Sequence, residues 1–220
     1  MQELLTPTKI IRTKRKTLSL IINNNGDLIV RAPLNCADSV IFDFIYKKAS
    51  WIISKRQSSI NSKFTPIKVA DNEELNILGN AYTIKLTDTK RVKIINTNIF
   101  IPNVNSKHYL ILFLKRELKK IVSEKINKLN TIYKFNVKHV SISSAKTNWG
   151  SCSAGNRLHF TYKLMLCPEQ IIDYIVVHEL VHTIIKNHSK NFWKNVKKIY
   201  PQYKQCELWL KANRGIVNVV

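Results

Sequence analysis

The chain has 220 residues and a mass of 25.5 kDa; 45% of the residues are hydrophobic, 23% are charged, and only 5 are glycine. This composition excludes a mainly disordered or fibrous protein and allows one large or two small domains with apolar cores. The net charge of +22 favours anionic partners such as phosphates, nucleic acid or anionic lipid, although lysine among many isoleucines and asparagines is also what coding-genome composition would produce.

Residues 9–32 alternate between apolar and polar positions, and Asn25-Gly26 is typical of a tight turn. We therefore predict a β-hairpin. From residue 39 to about residue 61 the apolar residues follow helical spacing, and Asp38 or Ser39 is suited to cap the N-terminus. This pattern predicts one amphipathic helix.

Short β-rich runs return between residues 74 and 102, joined through Gly79-Asn80 and through residues 96–98. They predict a small antiparallel meander, which Pro102-Asn103 ends. We therefore place a boundary near residue 103, between a β-rich N-terminal lobe with one helix (residues 1–103) and a second lobe (residues 104–220).

Hydrophobic periodicity predicts both strands and helices in the second lobe, which indicates an α+β class. Pro168 is typical of a first helical turn, and Ser189 is suited to cap a later helix. The predicted elements are, in order, a helix to about Tyr133, strands at Val137–Ala145 and Arg157–Leu166, a helix from Pro168 to Ile185, a helix from Ser189 to about Tyr200, and a last turn or two over Glu207–Asn213.

The strongest motif is His178-Glu179-Leu180-Val181-His182, on the helix that begins near Pro168. Residues four apart share one face of a helix, so His178 and His182 present two imidazoles to one point, as zinc requires. Glu179 lies beside that point without being a natural ligand. Because zinc lowers the pKa of its bound water to about 7, Glu179 can take the proton as the water attacks a substrate.

The apolar surroundings of this motif favour the metal interpretation over a pair of surface histidines. Isoleucine, leucine and valine surround the helix on nearly every side, as in a helix that crosses a domain core. Unpaired histidine and glutamate side chains would be costly there, and a bound metal would offset that cost.

The third ligand has two candidates. His188 follows His182 by six residues, a spacing found in the long zincin motif. It can reach the metal only if the helix ends near residues 185–187 and the chain turns back, for which Asn187 is suited because asparagine tolerates a left-handed conformation. The alternative is the downstream carboxylate of Glu207.

Other residues give weaker signals. The four cysteines contain no Cys-x-x-Cys pair, so we expect reduced, buried thiols. The segment 149–152 either lines the cleft, with Gly150 permitting close backbone approach, or is a packed turn. Residues 157–163 are the candidate edge strand for an extended peptide. We expect three further histidines to be ordinary surface or core residues: His108, His139 and His159.

The sequence resembles the YgjP-like metal-dependent hydrolases, relatives of the WLM and SprT-like zincins. The resemblance rests on Trp149-Gly150-Ser151-Cys152-Ser153, on the segment Asp173–His182, and on Asn187-His188-Ser189 with Phe192-Trp193. It extends upstream to Lys16-Thr17-Leu18, so it implies one continuous family domain over about residues 9–215. It also implies a zincin-like core, in which the motif helix packs against a small antiparallel sheet, and zinc held by His178, His182 and His188, with Glu179 as catalytic base. Thr161-Tyr162-Lys163 stands where relatives tend to have Asn-Trp-Arg.

Three functions are consistent with these observations. The family's usual label is metallopeptidase, acting on a peptide or protein substrate. The family has also been described as a uridine triphosphate pyrophosphatase, and the same metal site and the +22 charge suit a nucleoside triphosphate. A non-enzymatic zinc module with weak nucleic-acid affinity is the third, although Glu179 argues against it because a structural site needs no base.

We expect a cytoplasmic protein without membrane insertion. The first seven residues lack the apolar run of about 7–15 residues that a secretory signal needs. No apolar stretch approaches the roughly 20 residues that span a bilayer.

Overall fold

The computed structural model of the chain describes residues 5–23, 26–60, 68–145 and 147–213. By packing, the chain divides into two compact units, Met1–Lys63 and Phe64–Val220. Within the described ranges there are six α-helices and three small mixed sheets, which confirms the α+β class. None of the described helices combines the length and apolar character needed to cross a membrane.

The first unit is a three-stranded sheet covered on one face by two helices. Its core is formed by alternate residues of the central strand together with Ile41, Ile45 and Ile52 of the helices. The central strand pairs antiparallel with one neighbour and parallel with the other. The elements are β1 (Lys9–Thr13), β2 (Ser19–Ile22), β3 (Leu28–Pro33), α1 (Asp38–Lys47) and α2 (Ala49–Ile60), and the sheet order is β1-β3-β2.

Two predictions for this unit need correction. The hairpin is present as β2 and β3, with Gly26 at a positive φ of 83°, but β1 joins it as a parallel strand; Asn25 of the predicted turn lies outside the described residues. The single predicted helix is two helices, because the chain leaves helical geometry at Lys48. Ala37, in an extended conformation, is the N-cap, and Asp38 pairs with Arg12 instead of capping.

The second unit begins with a four-stranded sheet of order β4-β5-β7-β6. The outer pairs are antiparallel, but β5 and β7 run parallel, so the predicted meander is wrong in its central pairing. The predicted turns are correct, since Gly79 and Asn96 both adopt positive φ. The strands are β4 (Glu74–Ile77), β5 (Asn80–Thr87), β6 (Lys93–Ile95) and β7 (Asn98–Pro102).

A second sheet and four helices complete this unit. The sheet order is β8-β10-β9, with β10 parallel to β8 and antiparallel to β9, so the predicted purely antiparallel sheet is wrong for one pair. The predicted strand 157–166 ends early because Tyr162–Leu166 form a 3-10 turn. The elements are α3 (Ser106–Tyr133), β8 (His139–Ser143), β9 (Gly150–Cys152), β10 (Arg157–Thr161), α4 (Glu169–Val181), α5 (Lys190–Ile199) and α6 (Tyr203–Ala212).

One continuous core joins both sheets of the second unit to α3 and α4. The buried stripe of α3 includes Leu110 and Leu114 and packs with Leu75 and Ile84 of the four-stranded sheet. The boundary placed near residue 103 therefore falls inside the second unit, which spans Phe64–Val220. The local sequence indicates the change from strand to helix near residue 103, but it does not indicate that α3 packs against the preceding sheet.

We predict that Leu114→Ala destabilises the second unit by about 2–5 kcal/mol, because Leu114 is fully buried and its truncation leaves a cavity. The control is Leu112→Ala on the same helix, where the leucine is 48% exposed and the free energy of unfolding should change by less than about 1 kcal/mol. Chemical denaturation followed by circular dichroism measures both. Equal losses in the two variants would contradict the assigned core.

Candidate metal centre

The helix α4 crosses the core of the second unit and positions the histidine motif. It begins after Pro168 and is buried along nearly its whole length. Its start is tied to α3 by Lys125, whose ammonium contacts Glu169 at 2.7 Å and Asp173 at 2.6 Å. A helix buried in this way has little freedom to rotate or shift, so its polar side chains are held in place.

The helix ends at Val181, four residues earlier than predicted. The amides of Ile184 and Ile185 both bond back to the Val181 carbonyl. The Ile185 carbonyl accepts a hydrogen bond of 2.9 Å from Nδ1 of His182. Asn187 does not adopt a positive φ, so the predicted left-handed turn there is wrong.

This early ending allows His188 to return to the first two histidines. Its Nε2 lies 3.1 Å from Nε2 of His178 and 3.1 Å from Nε2 of His182. The ligand atoms of the three residues all lie within 4.8 Å of one another, and no other group of this kind occurs among the described residues. The loop leads into α5, where the Ser189 hydroxyl accepts a bond from the Phe192 amide, as predicted for a cap.

Hydrogen bonds at the far ring nitrogens orient two of the imidazoles. His182 uses Nδ1 to donate to the Ile185 carbonyl, and Nδ1 of His178 lies 3.4 Å from the hydroxyl of Tyr174. Because the Ile185 carbonyl can only accept, the proton of the His182 ring is on Nδ1, and its Nε2 has its lone pair towards the cluster. This is the usual arrangement of metal-binding histidines.

Aromatic rings pack around the imidazoles. The Phe192 ring lies within 4.9 Å of all three imidazole centroids, and the Trp193 ring stacks on His188 at 5.8 Å. Trp193 in turn stacks on Tyr203 of α6. In the sequence Phe192 and Trp193 contribute only to a family resemblance, whereas in the structure their rings fix the positions of the imidazoles.

The spacing of the three nitrogens fits a tetrahedral metal. Metal–nitrogen bonds of 2.0–2.1 Å place two tetrahedral ligand atoms about 3.3 Å apart. The two separations of 3.1 Å agree with this value. Three imidazoles leave a fourth position open, as in catalytic rather than structural sites.

Burial keeps these imidazoles in the neutral form that binds a metal. Burial, followed by the charges of His182 and His188, lowers the pKa of His178 to about 3. Burial also lowers the pKa of His182, although its bond to the Ile185 carbonyl opposes this effect. Neither imidazole therefore needs to lose a proton at neutral pH before binding a cation.

Glu179 is buried beside this cluster and is only 5% exposed. Its Oε2 has no hydrogen-bond partner among the described residues. Burial raises its pKa to about 8, and a nearby cation would favour its ionised form. A carboxylate in this position is available to exchange a proton.

Gly150 of β9 makes room for Glu179. A Cβ atom at residue 150 would lie 2.8 Å from both Cγ and Oε1 of Glu179. The close backbone approach predicted at Gly150 is therefore present, and it is made to Glu179. Glycine is needed at this position because a larger side chain would collide with Glu179, and not because the backbone has a positive φ.

Lys186 ties the His188 loop to the β9–β10 turn, and sequence reasoning missed it. Its ammonium donates to the Ser153 carbonyl at 2.9 Å and to the Asn156 amide oxygen at 2.5 Å. Cys152 lies 3.5 Å from the same nitrogen. In a chain with 36 basic residues, nothing in the local sequence distinguishes this lysine.

The remaining candidates lie outside the cluster. Glu207, on α6, is not in the three-histidine group; it lies near Tyr174, whose pKa is raised first by burial and then by this charge. Of the other histidines, His159 contacts the Ser141 hydroxyl at 2.6 Å. The four cysteines are free, but only Cys167 and Cys206 are buried.

Residues 157–163 do not form the edge strand that was predicted. Residues 157–161 are the central strand β10, and Thr161, Tyr162 and Lys163 are buried. The edge beside α4 is β9, which pairs with β10 on one side.

Residues 16–213, most of the chain, match the family model described as YgjP-like, metallopeptidase domain. No curated protein and no solved structure is similar enough to the chain to count as a match. The family implies a divalent metal, for which the three-histidine group supplies suitable nitrogen atoms.

We predict that His188→Ala abolishes stoichiometric metal binding, because it removes a nitrogen that the other two ligands cannot replace. Glu207→Ala should retain the metal. Isothermal titration with Zn²⁺ and metal analysis after gel filtration measure both variants. Retention by His188→Ala together with loss by Glu207→Ala would reverse the assignment of the third ligand.

Proposed function

This chain belongs to the YgjP-like metallopeptidase domain family, and we propose that it is a zinc-dependent hydrolase that cleaves peptide bonds. The observation that supports this proposal is the convergence of three imidazole Nε2 atoms beside a buried carboxylate. A purely structural site would have no use for that carboxylate and would close its fourth position with a protein ligand.

We assign His178, His182 and His188 as the zinc ligands and Glu179 as the catalytic base. Zinc, when bound, lowers the pKa of a coordinated water and polarises the bond that is attacked. Glu179 accepts the proton of the attacking water and delivers it to the leaving amine. Its buried position favours this role, because the proton is exchanged within the site and not with bulk water.

The edge strand β9 supports a peptide as substrate. Beyond β9 the described sheet has no further strand, so an extended peptide can add there through backbone hydrogen bonds. Because Gly150 of β9 touches Glu179, a peptide paired with this strand would pass directly over the base.

A nucleoside triphosphate, including UTP, is the alternative substrate. The same three imidazoles and base would serve phosphorus chemistry, and the net charge of +22 favours an anion. A cytoplasmic location, predicted from the sequence, is compatible with either substrate.

We predict that Glu179→Gln keeps the fold and the bound zinc but lowers turnover by about 10²–10⁴-fold, since it removes the base and leaves the ligands. The zinc-loaded protein and this variant are incubated with casein-derived peptides and with each nucleoside triphosphate. Peptide cleavage that depends on Glu179 supports the metallopeptidase. Cleavage of triphosphates alone would select the alternative substrate, and unchanged turnover in the variant would falsify the mechanism.

We predict that Gly150→Ala lowers the same turnover by about 100-fold without loss of zinc, because the added methyl group displaces Glu179 and not the histidines. The matched control is Gly155→Ala in the β9–β10 turn, where a Cβ would meet nothing within 4 Å. Steady-state kinetics and metal analysis are compared for the two variants. Full activity in Gly150→Ala would show that its contact with Glu179 has no catalytic consequence.

A further inference from the structure

The open face of the first unit's sheet carries a cleft of about 450 Å³. Because successive strand residues alternate between faces, this face is opposite the one covered by α1 and α2. The cleft is lined by Ile11, Thr13, Arg15, Thr17 and Arg31.

The two arginines of the cleft are neighbours. Arg31, on the central strand, lies directly across from Ser19 of β2. Arg15 donates from Nη1 to the Ser19 hydroxyl at 2.9 Å and from Nη2 to the Thr17 hydroxyl at 3.3 Å. The guanidinium of Arg15 is thus held beside Arg31 by neutral groups, which leave its charge uncompensated.

The described acidic residues of this unit lie elsewhere. Asp27 bonds with Asn23 at the β2–β3 turn, Asp38 pairs with Arg12 at the covered side, and Asp43 lies on α1. The side chain of Arg31 is exposed and has no hydrogen-bond or ionic partner within the described part of the chain. Two arginines that face one cleft without an acidic group are complementary to an anion with several oxygens, such as a phosphate.

The surroundings of the cleft favour a polyanion over a single phosphate. Lys9 lies on the same face of β1 as Ile11 and Thr13, about 7 Å from Ile11 along the strand. Lys14 and Lys16 are exposed in the segment that follows β1. The cations therefore continue beyond the cleft in the direction of the strand.

We propose that this face binds the phosphodiester backbone of duplex nucleic acid, with Arg15 and Arg31 contacting phosphates. Among the described residues no aromatic side chain lines the cleft, so these residues offer no platform on which the bases of a single strand could stack. A duplex presents its phosphates outward, and contacts of this kind are independent of sequence. This proposal does not rest on the hydrolase activity, because the metal centre belongs to the other unit.

The test measures binding of the full-length protein to a fluorescein-labelled DNA duplex of about 20 base pairs by anisotropy, at several salt concentrations. R15Q/R31Q should weaken binding by about tenfold or more at 0.1 M salt and reduce the slope of log K against log salt by about 2. The matched control K47Q/K48Q removes the same charge at the end of α1, on the covered side, and should change affinity less than about threefold.

Further measurements make the result specific. R15K/R31K should keep the salt slope and lose part of the affinity, since lysine lacks the planar fork of arginine. Equal losses in R15Q/R31Q and K47Q/K48Q would show binding by overall charge and overturn the proposal. So would arginine-dependent binding to vesicles of anionic lipid without such binding to DNA. Thermal unfolding checks each variant, and R31Q against K48Q gives the same comparison if the double variant does not fold.

Discussion

Three imidazole nitrogens that point towards one another are the constraint on which the structure of the second unit depends. Nε2 of His188 lies 3.1 Å from Nε2 of both His178 and His182, and burial disfavours protonation, since the pKa of His178 is lowered to about 3. A divalent cation bound by the three nitrogens would stabilise this arrangement of neutral imidazoles. The early end of α4, the bond between His182 and the Ile185 carbonyl, and the tether from Lys186 to the β9–β10 turn all keep the nitrogens in this arrangement.

The same constraint explains why Glu179 can be buried. An ionised carboxylate without a partner is costly in an apolar core. Oε2 of Glu179 has no hydrogen-bond partner among the described residues, and burial accordingly raises the pKa of Glu179. A cation held by the neighbouring histidines offsets it, so metal affinity and the ionisation of Glu179 are thermodynamically linked. Gly150 sets the distance between strand β9 and the Glu179 carboxylate, because the strand can approach this closely only without a Cβ atom.

The local chemistry of the site could be predicted from sequence, whereas its supports could not. The spacing of His178, Glu179 and His182 on a helix is a local property, and so are the cap at Ser189 and the turn at Gly79. Strand pairing is not local: whether β5 runs parallel to β7, or which strand forms the edge beside α4, depends on packing between distant segments. Lys186 was missed for the same reason, since its partners Ser153 and Asn156 lie about 30 residues away.

The charge of +22 combines cations with different physical roles. Lys125 pairs with Glu169 and Asp173 to anchor α4, and Lys186 ties the His188 loop to the β9–β10 turn. The two carboxylates neutralise Lys125, whereas Lys186 bonds to neutral groups and serves to position the loop that carries His188. At Arg15 and Arg31 the guanidinium supplies a planar fork that a lysine of the same charge would lack. Geometry, more than the number of positive charges, therefore identifies where this chain can recognise an anion.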